Sequence, residues 1–406
     1  MNILFPNLVK SLIVIVAVCG TVLAVGCEPA AHNLAEIGPA PRPITPPTQA
    51  EIRQAIDRGV AFLVSHQQPP GHWGTIGFVQ NIGLPSQRDT ESFKMATTAL
   101  CVKALIETRS ESPEAIAALA RGEQWLLTNV PRFKRQDLKS LFNNWGHLYA
   151  IEAMVAMLNH RPMTDERRTE LRRLVDQQIR LLAAGRTLRG GWGYYTFPPH
   201  TRPSGNWATS FLTSAAMIAY HDAEQAGFDI PRAASATGLM ALRWARFPNG
   251  AFGYTIYTIA TPGSLSNYPQ GAVARSQAGN LALYLYGDKR TTPEVIKNWL
   301  NRLIIYDRWL AVPLKKLKTH HYRLFAIAGY YYYYAYYYAA RAIEQLDPAD
   351  RPQFQNHLAE ILIRRQDKDG SWWDFVLFGY QKGYGTAMGL MALQRCLQPP
   401  ADQVAP

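Results

Sequence analysis

Four glycine–aromatic turns recur along this 406-residue chain at a spacing that few folds accommodate: Pro70-Gly-His-Trp73-Gly, Arg189-Gly-Gly-Trp192-Gly-Tyr, Pro248-Asn-Gly-Ala-Phe252-Gly-Tyr and Asp367-Lys-Asp-Gly-Ser-Trp372-Trp. Their aromatic positions lie 119, 60 and 120 residues apart, which is two, one and two steps of about 60 residues, the mark of an internal repeat. Two turns lacking the glycine–aromatic pattern are therefore expected near residues 132 and 312. Val130-Pro131-Arg-Phe133 through Trp145, and Leu310-Ala-Val-Pro313 through Thr319, read as loops there. Six repeats follow.

Each repeat reads as a helical hairpin. Ahead of every turn lies an amphipathic run with apolar residues at helical spacing and charges between them, at 52–63, 113–128, 165–184, 231–247, 293–306 and 351–365. After every turn comes a less charged run rich in Ala, Gly, Ser and Thr, at 96–105, 149–158, 209–219, 272–286, 324–343 and 386–393. A helix apolar on nearly all sides has to be buried, so the second set forms an inner ring and the first an outer one. The expected fold is all-α, an α/α toroid of about twelve helices. The turn glycines would adopt left-handed conformations, and the inner N-termini would face a central pocket and favour electron-rich groups.

Composition agrees with a large buried core. The chain is 48% hydrophobic and 18% charged, too apolar for a disordered protein. Its one long charge-free apolar run spans residues 11–26 and falls short of the roughly 20 residues of a spanning helix. That run follows Lys10 and ends in small residues before Cys27, so residues 1–26 read as an export signal. Gly26-Cys27 resembles the lipobox of bacterial lipoproteins, which implies lipidation at Cys27. Residues 27–48 carry Pro29, Pro39, Pro41, Pro43, Pro46 and Pro47 and read as a semi-rigid linker. A toroid domain then spans 49–398, with a tail at 399–406. The expected location is the cell envelope, outside the cytoplasm, with a lipid membrane as partner through the N-terminal anchor. Cys101 and Cys396 are either two buried thiols or a disulfide joining the first and last repeats.

The grammar Gln67-Gln-Pro-Pro-Gly71-His-Trp73-Gly and Arg365-Gln366-Asp-Lys-Asp-Gly370-Ser-Trp372 resembles that of the prenyltransferase and squalene-oxidase repeat family, which includes the squalene-hopene cyclases and protein prenyltransferase β subunits. The resemblance covers roughly residues 50–397 and implies a terpenoid cyclase-like toroid. The family's catalytic groups do not carry over. No Asp-x-Asp-Asp motif is present, and the nearest spacing, Asp367-Lys-Asp369, sits in a turn where carboxylates accept backbone N–H bonds. Neither Cys101 nor Cys396 has a metal-like Asp or His context, so no zinc, other metal or cofactor is expected.

Pocket candidates are polar or aromatic residues near the starts of inner helices. Asp89 and Glu91 are either a solvated helix cap or a pocket acid. His147 is either a hydrogen-bonded core histidine or a proton-transferring one. Trp207 lies in a segment where related toroids often carry aspartates, and Arg275 holds either an anionic headgroup or a neighbouring carboxylate. Tyr330 to Tyr338 is tyrosine at every position except Ala335. On a helix, Tyr330, Tyr333, Tyr334 and Tyr337 would share a face, either as bulk packing or as an aromatic wall. His321, Tyr322 and Lys382 complete the set. Basic clusters at Arg132, at Arg167 to Arg173 and at Lys315 to Lys318 read chiefly as solvated faces, with lipid headgroups or anionic glycans as acidic partners and no nucleic-acid motif.

The functional expectation is a noncatalytic, envelope-anchored toroid that binds a hydrophobic or glycan-like ligand, or a protein partner, in an aromatic central pocket. The alternative is a terpenoid cyclase-like or polysaccharide-degrading enzyme with a non-standard acid/base site built from Asp89, Glu91, His147 and Asp374.

Overall fold

The computed structural model describes residues 40–74, 89–133, 142–194, 208–256, 263–316, 323–375 and 380–397, with the backbone alone at 89, 90 and 323. Residues 1–39, including the expected signal, Cys27 and most of the linker, lie outside the described residues, as do Trp207, His321 and Tyr322. Within the described residues there is no strand, only isolated bridges at the turns, and no helix is long and apolar enough to cross a membrane.

Among the described residues twelve α-helices follow one another: α1 (Gln49–Ser65), α2 (Asp89–Thr108), α3 (Pro113–Asn129), α4 (Asn143–His160), α5 (Asp165–Ala184), α6 (Ser210–Gln225), α7 (Arg232–Ala245), α8 (Pro269–Leu285), α9 (Pro293–Leu310), α10 (Tyr332–Ile343), α11 (Arg351–Arg365) and α12 (Gln381–Gln394). The even-numbered helices pack against each other in succession, and α12 packs against α2, closing an inner ring. The odd-numbered helices surround it. The division follows from sequence: α1 buries one stripe, Ile52, Ala55, Ile56, Gly59, Val60, Phe62 and Leu63, whereas α4 buries every residue from Gly146 to Leu158. Outer helices also carry their own start signals. Thr48 and Glu51 form a capping box on α1, and Ser112 and Thr292 cap α3 and α9 ahead of Pro113 and Pro293.

The recurring turns hold neighbouring repeats together by one repeated set of contacts. Trp73, Trp192 and Trp372 each donate Nε1–H to the carbonyl ten residues upstream, Leu63, Leu182 and Leu362, at 2.7–2.8 Å. Each indole then lies over a glycine of the following outer helix: Gly122, Gly238 and Gly59. A Cβ on Gly59 would stand 2.7 Å from the Trp372 ring. Gly59 belongs to the first helix, so the sixth turn closes the ring with the contact the first turn makes to the second repeat. Two glutamines repeat the arrangement. Gln67 Nε2 donates to Ala118 O and Gly71 O, and Gln366 Nε2 to Ala55 O and Gly370 O. Gly370 adopts φ +87° because its turn presses on the Arg58 carbonyl, which a Cβ would approach to 2.3 Å.

Of the two expected degenerate turns, residues 134–141 and 317–322 lie outside the described residues, and Trp145 already belongs to α4. In the described parts, Phe133 presses on Gly146, where a Cβ would meet its ring at 2.4 Å, and Pro313 presses on Gly329. One expected element differs. Residues 324–343 do not form a single helix. Ala326 takes a left-handed φ of +43°, which interrupts the chain between two 3-10 turns, Arg323–Phe325 and Ala328–Tyr331, and α10 begins only at Tyr332. Cys101 and Cys396 are separate buried thiols, donating to Gly383 O and Ala392 O. Burial pushes the Cys396 thiol up to about 12.

Candidate functional site

The inner helices converge on a cavity of about 470 Å³. Its walls come from their N-terminal parts: Phe93 and Leu100 of α2, Trp145 and Tyr149 of α4, Phe211 of α6, Tyr334 of α10 and Tyr384 of α12. Tyr194 and Tyr254 enter from turns, and Tyr330, Tyr331, Phe375 and Tyr380 from the segments before α10 and α12. Twelve of the seventeen described lining residues are therefore aromatic, with Ala96, Thr97, Ile327 and Gln381 among the rest. The aromatic wall is continuous. Phe211 packs its ring against Tyr194, Tyr254 and Tyr331 at 5.5, 5.6 and 4.6 Å, and Phe93 stacks on Tyr380 at 4.8 Å. No carboxylate is among the described lining residues.

Inner helices lack side-chain caps. The residues preceding α4, α6, α8, α10 and α12 make no side-chain cap bond, and two of them, Tyr331 and Tyr380, line the cavity. The cavity end of the ring thus carries the positive ends of the helix dipoles.

Below the cavity, toward the C-terminal ends of the same helices, the axis is filled by charge. Lys103 Nζ sits 2.7 Å from Glu152 Oε2 and 2.9 Å from the Tyr337 hydroxyl, which itself donates to Glu152 at 3.1 Å. Glu107 pairs with Arg395, and Asp222 with Arg341 at 2.7 Å. Burial works against the Lys103 charge, but Glu152, Tyr337 and Glu107 outweigh it and hold its pKa above the ordinary lysine value.

The tyrosine run divides between these two environments. The stripe Tyr330, Tyr333, Tyr334, Tyr337 does not line the cavity as a unit: Tyr330 precedes α10, and of the three within the helix it is Tyr334 that reaches the wall. The preceding 3-10 turn aligns Tyr331 with Tyr334, three residues on, and both reach the cavity together with Tyr330. Tyr337 lies one turn further along α10, in the ion network, where burial and then Glu152 push its hydroxyl up to about 12. Tyr333 packs against Tyr332 and is not a lining residue.

Other candidates are dispersed. Glu91 is exposed and pairs with Lys94, while the Asp89 side chain lies outside the described residues. His147 is buried against Phe133, with Nδ1 2.6 Å from Gln178 Oε1, so it faces the outer helix α5. Lys382 is on the surface, paired with Asp369; Asp369 also accepts from the Ser371 backbone. The basic residues are taken up locally: Arg167 by Glu123, Arg172 by the Phe228 ring, Arg173 by Glu170 and Lys315 by Asp367. Arg275 has backbone carbonyls rather than a carboxylate as its hydrogen-bond partners among the described residues. It is fully buried and donates to the carbonyls of Gly271, Phe252 and Ser266 at 3.0, 3.3 and 2.6 Å, with its guanidinium 5.6 Å from the Tyr254 ring centroid.

Asp374 is the exception to this dispersal. It is 2% exposed and neither carboxylate oxygen has a hydrogen-bond partner. Burial raises its pKa to about 7, and the Tyr384 hydroxyl and nearby backbone amides, close but outside hydrogen-bond geometry, hold it from rising further. Its position in the repeat explains its place. Asp374 is the second residue after the turn aromatic Trp372, as Tyr194 is after Trp192 and Tyr254 after Phe252. At that position Tyr194 and Tyr254 line the cavity; Asp374 is not among the described lining residues, but it is near enough to Tyr380 and Tyr384, which are, for its charge to oppose their ionisation.

No protein-family model matches the sequence and no curated protein is significantly similar to it. The fold is similar to that of a type II terpene cyclase, MstE from Scytonema, with a TM-score of 0.53 and 14% identity over 86% of this chain and 99% of the cyclase. It is also similar to the GH76A α-1,6-mannanase of Salegentibacter sp. HEL1_6, at TM-score 0.51 and 11% identity over 84% of this chain and 99% of that one. An inactive variant of the mannanase, in which two adjacent aspartates are asparagine, bound to α-1,6-mannotriose, gives 0.52 and 10% over the same shares. At these identities the likeness establishes the α/α toroid fold, which hosts unrelated chemistries.

Proposed function

We propose that this chain is an exported, envelope-tethered toroid that binds an apolar, isoprenoid-like ligand in its central cavity without transforming it. The observation that carries this reading is the aromatic wall around about 470 Å³, a size within the roughly 300–1,000 Å³ of small-molecule sites. Apart from tyrosine hydroxyls, the hydrogen-bonding side chains of the described wall are Thr97, Gln381 and the indole N–H of Trp145, which is little hydrogen bonding for a sugar and ample contact for hydrocarbon. The leader, Cys27 and the proline-rich linker support delivery to the envelope.

Two observations favour binding over catalysis. Glycoside hydrolysis generally requires a pair of carboxylates on either side of the bond, and the chain has no two adjacent aspartates and no carboxylate among the described lining residues. Protonating a carbon–carbon double bond requires an unusually strong acid. Asp374, raised to about 7, is a weaker acid than an ordinary aspartate.

Calorimetric titration of the purified protein with farnesylacetone and with α-1,6-mannotriose tests the reading. Saturable binding of the isoprenoid with a negative heat-capacity change, and no heat from the sugar, is expected. Leu100→Trp, which fills the cavity, should abolish that binding while leaving the helical content unchanged. Sugar binding without isoprenoid binding would reverse the proposal.

A further inference from the structure

Three tyrosine hydroxyls meet at one point of an otherwise apolar wall. The Tyr194 hydroxyl lies 3.0 Å from that of Tyr254 and 3.1 Å from that of Tyr331, and all three residues line the cavity. From the apolar character of the remaining wall and this one polar corner, we infer that the ligand carries an acceptor oxygen, a carbonyl or its equivalent, at one end of its skeleton, and that the Tyr194–Tyr254–Tyr331 cluster receives it. The inference rests on the cavity being a ligand site, as proposed above.

Proton accounting supports a donor at this corner. Tyr254 and Tyr331 each have one hydroxyl partner among the described residues, Tyr194. When Tyr194 donates to one of them, that residue keeps its own proton for a third group. The electrostatics turn that proton toward the cavity. The Arg275 guanidinium lies over the Tyr254 ring, its hydrogen bonds go to backbone carbonyls, and its charge reaches Tyr194, Tyr331 and Tyr334. A fixed cation attracts the hydroxyl oxygens and leaves their protons facing away from it. The helix ends add to the same field: Tyr331 is the uncapped residue before α10, and the Tyr254 carbonyl accepts from Ser210 N at the start of α6. Burial first, and then the neighbouring phenols, raise the pKa of Tyr194 and Tyr331 far above the ordinary tyrosine value, so both remain neutral donors. A positive corner of this kind disfavours a cationic group and favours the negative end of a carbonyl dipole.

Binding of farnesylacetone and of its deoxygenated counterpart, in which a methylene replaces the carbonyl, separates the possibilities. The wild-type protein should prefer the ketone. Tyr331→Phe and Tyr254→Phe keep each ring and remove one hydroxyl. At least one of them should weaken the ketone roughly five- to tenfold while leaving the hydrocarbon within about twofold. The carbonyl stretching band of the bound ketone supplies a readout that does not depend on variants folding: it should lie below its frequency in hexane, and move back in the weakened variant. Equal affinity for the two ligands with an unshifted band would overturn the oxygen subsite while leaving the cavity reading intact. Binding of neither ligand to the wild type would overturn both.

Discussion

Lys103→Met should cost the fold about 3–5 kcal/mol, the loss expected when one partner of a buried ion pair is removed and the other is left without compensation. Lys103 is 6% exposed and Glu152 2%, and the ammonium is the cation that pairs with the Glu152 carboxylate, at 2.7 Å. Glu152 Oε1 already has no hydrogen-bond partner, so removing the lysine leaves Tyr337 as the donor that remains to Oε2. Methionine matches the stem of lysine and adds no cavity, which confines the loss to electrostatics. Adding Glu152→Leu to Lys103→Met should restore most of the stability, because the pair as a whole gains little over apolar packing. Urea denaturation of the two variants measures both values. A single variant as stable as the wild type would mean that the axis below the cavity is wet.

Asp374→Asn is expected to act in the opposite direction and to do so only above acidic pH. The carboxyl pKa rises from 3.8 to about 7 on folding, so between about pH 4 and 7 the native state holds a proton that the unfolded chain has released. Stability due to this group is therefore complete below pH 4 and lost as pH climbs through about 7. Asparagine has no such dependence. The variant should match the wild type near pH 4 and exceed it by up to about 4 kcal/mol above pH 7, three pKa units at about 1.4 kcal/mol each. Melting curves across that range read the divergence directly. Parallel curves would show that Asp374 finds a partner for its charge.

Much of the architecture is legible in the sequence because one physical problem is solved six times. Each outer helix has to bury a stripe, each inner helix has to bury all sides, and each turn has to press a ring on a neighbouring glycine: the three tryptophans on the next repeat's outer helix, and Phe133, Phe252 and Pro313 on a glycine at or before the inner helix of their own repeat. The periodic glycines and aromatics record that constraint, and the same period places Phe133 and Pro313 in turns that lack the signature. The cavity is less legible. Tyr330 and Tyr334 stand out in a dense tyrosine run, yet Tyr194 and Tyr254, each two residues beyond a turn aromatic, carry the same weight in the wall. Their signal is the repeat itself: aligning the turns places Tyr194, Tyr254 and Asp374 in one column. Helical spacing groups Tyr333 and Tyr337 with Tyr334 on α10, but of these three it is Tyr334 that lines the cavity, while Tyr337 lies a turn further along in the ion network. Spacing says which residues share a face and not how far along a helix the cavity reaches, and no periodicity argument anticipates the break at Ala326 that leaves Tyr330 outside the helix. Arg275 and His147 show a different difficulty. A charged or titratable residue on a buried helix has to find acceptors somewhere, and whether they are backbone carbonyls, a glutamine or a ligand depends on contacts distant in sequence.

A crystal structure of the protein grown with farnesylacetone measures most directly whether the hollow centre is a binding site. Continuous density should run through the aromatic cavity past Trp145 and Phe211, with the carbonyl oxygen at hydrogen-bond distance from the Tyr254 or Tyr331 hydroxyl. An empty cavity at saturating ligand, or a centre collapsed until the aromatic side chains fill it, would contradict the account.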